Sequence, residues 1–130
     1  MTYLLDVNAL LALAHAAHTM NARVEEWVTR LRRNDVIATS AITELGFVRI
    51  APQARLSPDV AAARQLLAAL KQSRRPRVVL LADDLGADAL PAWAKTPAQT
   101  TDAHLLALAA AHRGQLATCN KGIPGAVVID

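Results

Sequence analysis

Asp6, Glu44 and Asp102 each stand alone in apolar surroundings. Asp6 ends the run Tyr3-Leu4-Leu5, Asp102 opens Ala103-His104-Leu105-Leu106, and the residues three and four from Glu44 are Ser40, Ala41, Phe47 and Val48. An acid taken from water without a partner is costly, on the order of 2–7 kcal/mol even for a merely polar group, so each needs a donor or a cation. Three hard oxygen donors with no His or Cys at companion spacing favour Mg²⁺, with Mn²⁺ as substitute, over zinc. A cation of that kind makes water easier to deprotonate and neutralises charge growing on phosphoryl oxygens, which is the chemistry of phosphodiester hydrolysis. Clustered carboxylates would also raise at least one carboxyl pKa. Simpler roles stay open at each position: Asp102 at the positive end of a helix, Asp6 bonding turn amides at a strand end, Glu44 paired with an arginine such as Arg49.

These acids need a scaffold, and the apolar pattern supplies one. Tyr3 to Val7 reads as a buried strand, and Asn8 as the cap of a helix behind it. Asn21 to Arg33 is amphipathic, with Val24, Trp27, Val28 and Leu31 on one face, and Val36 to Thr39 is a second strand. Ser40 caps a helix to about Ile50, Ser57-Pro58 starts another, and Arg77 to Ala82 is a third strand. Asp83 to Thr100 suggests a short helix and a loop. Thr101 caps a helix that Gly114 ends, and Leu116 to Cys119 and Ala126 to Ile129 are two more strands. Strands alternating with helices imply an α/β three-layer sandwich with a mostly parallel sheet of about five short strands. In such sheets ligands gather beyond the carboxyl ends of the strands, where Asp6, Asp102 and Asn120 can meet.

The 130 residues suffice for a single domain, 1–130, with its own core. No apolar run is long enough to cross a bilayer and no basic leader precedes one, and Cys119 is the only cysteine, which suits a reducing cytoplasm. The net charge of +3 permits nucleic-acid binding, and arginines gather at 30, 32 and 33 and again at 74, 75 and 77. A phosphotransfer site at Asp83 or Asp84 lacks the phosphate loop and lysine pattern it would need.

Four blocks resemble, in order, the motifs of PIN-domain nucleases. They are Leu4-Leu5-Asp6-Val7-Asn8-Ala9-Leu10-Leu11, Ser40-Ala41-Ile42-Thr43-Glu44-Leu45-Gly46-Phe47-Val48-Arg49, Thr101-Asp102-Ala103-His104-Leu105-Leu106-Ala107-Leu108-Ala109 and Leu116-Ala117-Thr118-Cys119-Asn120-Lys121-Gly122. Thr43 to Arg49 is similar to VapC toxins in particular. The resemblance implies a Mg²⁺-dependent endoribonuclease, the toxin of a VapBC-type pair, which in the family's pattern forms a homodimer and is held by a VapB-like antitoxin. It assigns Asp6, Glu44 and Asp102 to metal and catalysis, and Asn8, Thr118 and Asn120 to positioning metal waters or substrate. Asn120 stands where the family commonly has a further Asp. The expectation is therefore one firmly held ion and a second that is weak or arrives with substrate, the alternative being a catalytically weakened module that binds RNA or a partner. Arg49, Arg113 and Lys121 are the candidates for RNA phosphates, while the four histidines, His15, His18, His104 and His112, have no matching role.

Overall fold

Short Val-, Ile- and Leu-bearing runs pair side by side as β1 (Thr2–Leu5), β2 (Val36–Thr39), β3 (Arg77–Leu80), β4 (Gln115–Thr118) and β5 (Val127–Val128) in the computed structural model, which describes residues 1–130. Their order is β3-β2-β1-β4-β5 and every pairing is parallel, with Leu4 opposite Ala38 on one side and Leu116 on the other. Parallel neighbours need crossovers, and the crossovers here carry α1 (Val7–Ala14), α2 (Asn21–Thr29), α3 (Ala41–Gln53), α4 (Val60–Lys71) and α5 (Thr100–Ala111). Successive side chains of a strand point to opposite faces. Leu5 and Ile37 accordingly join Leu10, Val24, Phe47 and Leu67 under α1 to α4, while Leu4 and Leu116 join Leu105 and Leu108 under α5. Both faces are covered, as the alternation of elements implies.

The chain leaves β1 toward β2 on one side and reaches β4 on the other. Between the carboxyl ends of β1 and β4 lies the crevice that such a reversal of strand order creates.

Several helix starts differ from the sequence reading. Asp6, not Asn8, caps α1: its Oδ1 accepts from the Ala9 amide at 2.8 Å, which ends β1 at Leu5 and makes Val7 the first helical residue. Asp59 caps α4 through the Ala62 amide at 2.8 Å, two residues beyond Ser57, whose buried hydroxyl instead bonds His15 Nε2 at 2.8 Å. α5 begins at Thr100 without a side-chain cap, so Thr101 lies inside its first turn. Ser40 does cap α3, reciprocally with Thr43.

Between β3 and α5 there are only two short 3₁₀ turns, Ala87–Ala89 and Pro97–Gln99. A histidine of α5 and the one that caps its end tie down the start of this connection: His112 Nε2 donates to the Ala82 carbonyl at 2.8 Å, and His104 Nε2 lies 2.6 Å from Asp83 Oδ2. Desolvation pushes the Asp83 carboxyl up, but the His104 contact, the Leu85 amide and the neighbouring imidazoles outweigh it and hold the acid below its ordinary pKa. At the far end of α5, a Cβ on Gly114 would lie 2.5 Å from the Thr2 carbonyl oxygen, so only glycine lets the chain enter β4 so close to β1.

Candidate active site

A cleft of about 450 Å³ opens at the β1/β4 crevice, and its polar lining is Asp6, Asn8, Arg49, Thr101, Asp102 and Asn120. Asp6 arrives from the end of β1, Asp102 from the first turn of α5, Arg49 from α3, and Asn120 from just beyond β4. Elements far apart in sequence thus converge on one polar hollow.

Asp6 is 7% exposed and held at both oxygens: Oδ1 by the Ala9 amide, and Oδ2 by the fully buried Thr118 hydroxyl of the neighbouring strand. The same Thr118 oxygen accepts from the Asn120 amide nitrogen at 3.0 Å. Asn120 Oδ1 in turn accepts from the Gly122 amide at 2.8 Å, a local turn that engages the very oxygen a metal would use. Asn8 is likewise oriented by a neighbour. His18 Nδ1 accepts from the Met20 amide at 3.0 Å, so its Nε2 carries the proton and donates to Asn8 Oδ1 at 2.9 Å. Burial and the nearby His15 charge lower the His18 pKa, which favours this neutral ring. With its oxygen taken, Asn8 has its NH₂ to offer as a donor. The His18 contact, ten residues away across a turn, leaves no periodic trace in the sequence.

Burial raises the Asp6 pKa above its ordinary value, against the opposing pull of Thr118 and Ala9. Asp102 is also raised, first by desolvation and then by the Asp6 charge. Asp102 therefore feels the Asp6 charge, as a neighbouring carboxylate should.

Glu44 does not join them. Its carboxylate receives Lys71 Nζ at 3.1 Å on Oε1 and 2.9 Å on Oε2, and the Thr39 hydroxyl at 2.5 Å on Oε2, and it lines a separate groove with Leu45, Val48, Arg64 and Leu80. The physical reason is helix geometry. Glu44 lies in the first turn of α3 and Lys71 in the last turn of α4, so each charge sits where its own helix dipole favours it and the two helices are clamped together. The ion-pair role left open for Glu44 is the one observed, with Lys71 rather than Arg49 as partner. No group of three His, Cys, Asp or Glu side chains comes together anywhere in the molecule in a way that could hold a metal.

Arg113 is also displaced from its expected place. It follows α5 at the opposite end from Asp102, about 16 Å away along the helix axis, next to the start of β1. Lys121 is exposed beyond β4 but does not line the cleft, whereas Arg49 does. Thr101, read from sequence as a cap, lines it too.

Two carboxylates burdened by burial, one of them also by its neighbour's charge, beside amide groups and with no imidazole or thiol in the lining, fit a hard divalent cation that keeps several waters of its own. The same burden gives a stability prediction. A carboxyl whose folded pKa is raised contributes stability that is present below its unfolded pKa and lost as pH rises through the folded pKa. Asp102→Asn should therefore melt higher than the parent in EDTA at pH 7. That gain should vanish as pH falls through the raised Asp102 pKa, and added Mg²⁺ should stabilise the parent but not the variant. Calorimetric scans with and without EDTA check all three.

The PIN domain family model matches residues 3–126. Ribonuclease VapC38 of Mycobacterium tuberculosis is 40% identical over 127 residues, an alignment that covers 92% of this chain and 86% of the relative. Among solved structures, Mycobacterium tuberculosis VapC20, described as a sarcin-ricin loop cleaving toxin, superposes with a TM-score of 0.63 at 16% identity, covering 93% of this chain and 92% of the other. A toxin–antitoxin complex from Klebsiella pneumoniae contains a chain that superposes with a TM-score of 0.62 at 23% identity, with 98% of both chains covered. At such identities the two structures speak for the shared fold.

Proposed function

The chain belongs to the PIN-domain family, and on that premise we propose that it is a VapC-type toxin, a Mg²⁺-dependent endoribonuclease acting in the cytoplasm as one PIN-like domain over residues 1–130. The observation that carries this reading is the convergence of Asp6 and Asp102 in the β1/β4 cleft, both with raised pKa. When bound there, a divalent cation supplies charge to the phosphoryl oxygens and eases the deprotonation of water.

The chain's own residues do the rest. Thr118 and the Ala9 amide fix the Asp6 carboxylate, so it need not reorganise as charge develops. The Asn8 NH₂, aimed by His18, is a donor for a phosphate or ribose oxygen, and Arg49 offers the cleft its one basic side chain. Glu44 stays outside the reaction. Asn120, neutral and engaged with Gly122, supports a single firmly held ion.

The 40% identity to a ribonuclease supports RNA as substrate, and the likeness to a chain of a toxin–antitoxin complex supports a VapB-like antitoxin as partner, while a homodimer remains what the family resemblance implies. The direct test is purified protein with RNA under Mg²⁺, under EDTA, and under EDTA relieved by excess Mg²⁺ or Mn²⁺. Cleavage is expected in the first and third only. RNA that is retained but never cut would favour the binding module instead, and cutting in EDTA would overturn the metal reading.

A further inference from the structure

The two arginine clusters of the sequence meet in space. Arg32 and Arg33 lead into β2, Arg75 leads into β3, and the register that sets Val36 opposite Arg77 brings the two approaches side by side at the amino-terminal edge of the sheet. There Arg32, Arg33 and Arg75 line one groove of about 290 Å³ with Val28, Leu31 and Pro76, and Arg30, Arg74 and Arg77 are exposed in the same two segments.

The three ion pairs in the molecule use the amino terminus, Lys71 and His104, and no Asp or Glu side chain comes within 4.0 Å of any arginine. Arg30 alone of the six has a close oxygen partner, the Asp130 main-chain oxygen at 3.4 Å, which leaves Arg32, Arg33 and Arg75 of the groove unpaired. The acids nearest by are Glu25, in the adjoining groove with Arg75, and Asp35, which accepts from the amino terminus and from the Arg32 backbone amide. Unpaired cations held together repel one another and raise a positive potential that an external polyanion relieves. Arginine forks match phosphate oxygens in bidentate geometry, and the absence of aromatic side chains from the lining suits a sugar–phosphate backbone rather than stacked bases.

The catalytic cleft cannot supply much affinity of its own, since it sets one basic side chain against two acids. It also lies beyond the opposite ends of the strands, at least the ~13 Å of a four-residue strand away. We propose that the Arg32–Arg33–Arg75 groove is a second RNA site, one that binds the phosphate backbone of a long or structured substrate at a distance from the cleavage site. This rests on the ribonuclease reading for the identity of the polyanion and predicts that substrate length, not only sequence, governs KM.

The test compares the parent, the triple variant Arg32→Gln, Arg33→Gln, Arg75→Gln, and the charge-keeping triple Lys variant, each confirmed folded by its melting curve. Binding in EDTA is measured across salt concentrations with a long hairpin RNA and with a hexanucleotide, and cleavage of both is measured in Mg²⁺. For the Gln variant, affinity for the hairpin should fall roughly tenfold and the slope of log K against log salt should flatten by about 2, as expected for three lost phosphate contacts. KM for the hairpin should rise with kcat unchanged, hexanucleotide cleavage should stay as in the parent, and the Lys variant should keep the salt slope. An unchanged slope on the hairpin overturns the proposal, as does equal loss on both lengths. Arginine-dependent hairpin binding in a protein that cuts neither RNA would keep this site and overturn the ribonuclease reading instead.

Discussion

Asp6→Asn should abolish most RNA cleavage, by on the order of 10²–10³-fold in kcat, the scale seen when one preorganised electrostatic group is removed. Asparagine can still accept from the Ala9 amide through its oxygen, so the cap on α1 survives and, with a carboxyl of raised pKa replaced by a neutral group, the variant should melt no lower than the parent at pH 7. Glu44→Gln is the informative partner experiment. Its carboxylate is spent on Lys71 and Thr39, so cleavage should be little changed, and the loss of a partly exposed ion pair should cost about 0.5–1 kcal/mol in a urea melt. A Glu44→Gln protein that folds normally but no longer cuts RNA would place Glu44 in the reaction and refute its assignment to the α3–α4 clamp.

The second large effect is on folding. Phe47→Ala removes a ring that is wholly buried in α3 and stacked on His15 with centroids 5.4 Å apart, and it should cost about 3–5 kcal/mol. Domains of this size hold only about 5–15 kcal/mol in total, so the midpoint of thermal unfolding should drop by roughly 10 °C or more. Activity should fall with it, because α3 and α1 are pressed together beside the cleft. A Cβ on Gly46 would meet Val7 Cγ2 at 2.5 Å, and Val7 is part of the cleft lining. If the loss of Phe47 left the melting curve unmoved, α3 would not be the buttress of α1 described here.

The strands and their parallel arrangement were legible because they are short apolar runs separated by helical periods. Asp6 and Asp102 were legible as a pair because strand ends and helix starts converge at one sheet edge. Glu44 was not. A helical wheel shows that it shares a face with Ser40 and Val48, but not which element covers that face, and its partner Lys71 lies 27 residues away on a helix whose antiparallel packing is a tertiary fact. The caps failed for a related reason. Asp6 and Asn8 are both good capping residues, and the bond from Thr118, carried by a strand at the other end of the chain, belongs to the arrangement that selects Asp6. The position of Arg113 was there to be read, since it lies eleven positions beyond Asp102, past the end of α5, and that helix must carry it to the far edge.

The hydroxyl that steadies Asp6 comes from a residue 112 positions later in the chain. During synthesis, Asp6 emerges 112 residues ahead of that hydroxyl and can act only as the cap of a helix until α5 and β4 have followed it out. A nascent chain that stalls before β4 therefore carries an acid without its cleft, and the ribosome that makes this proposed RNA-cutting protein meets an assembled site only after β4 has emerged.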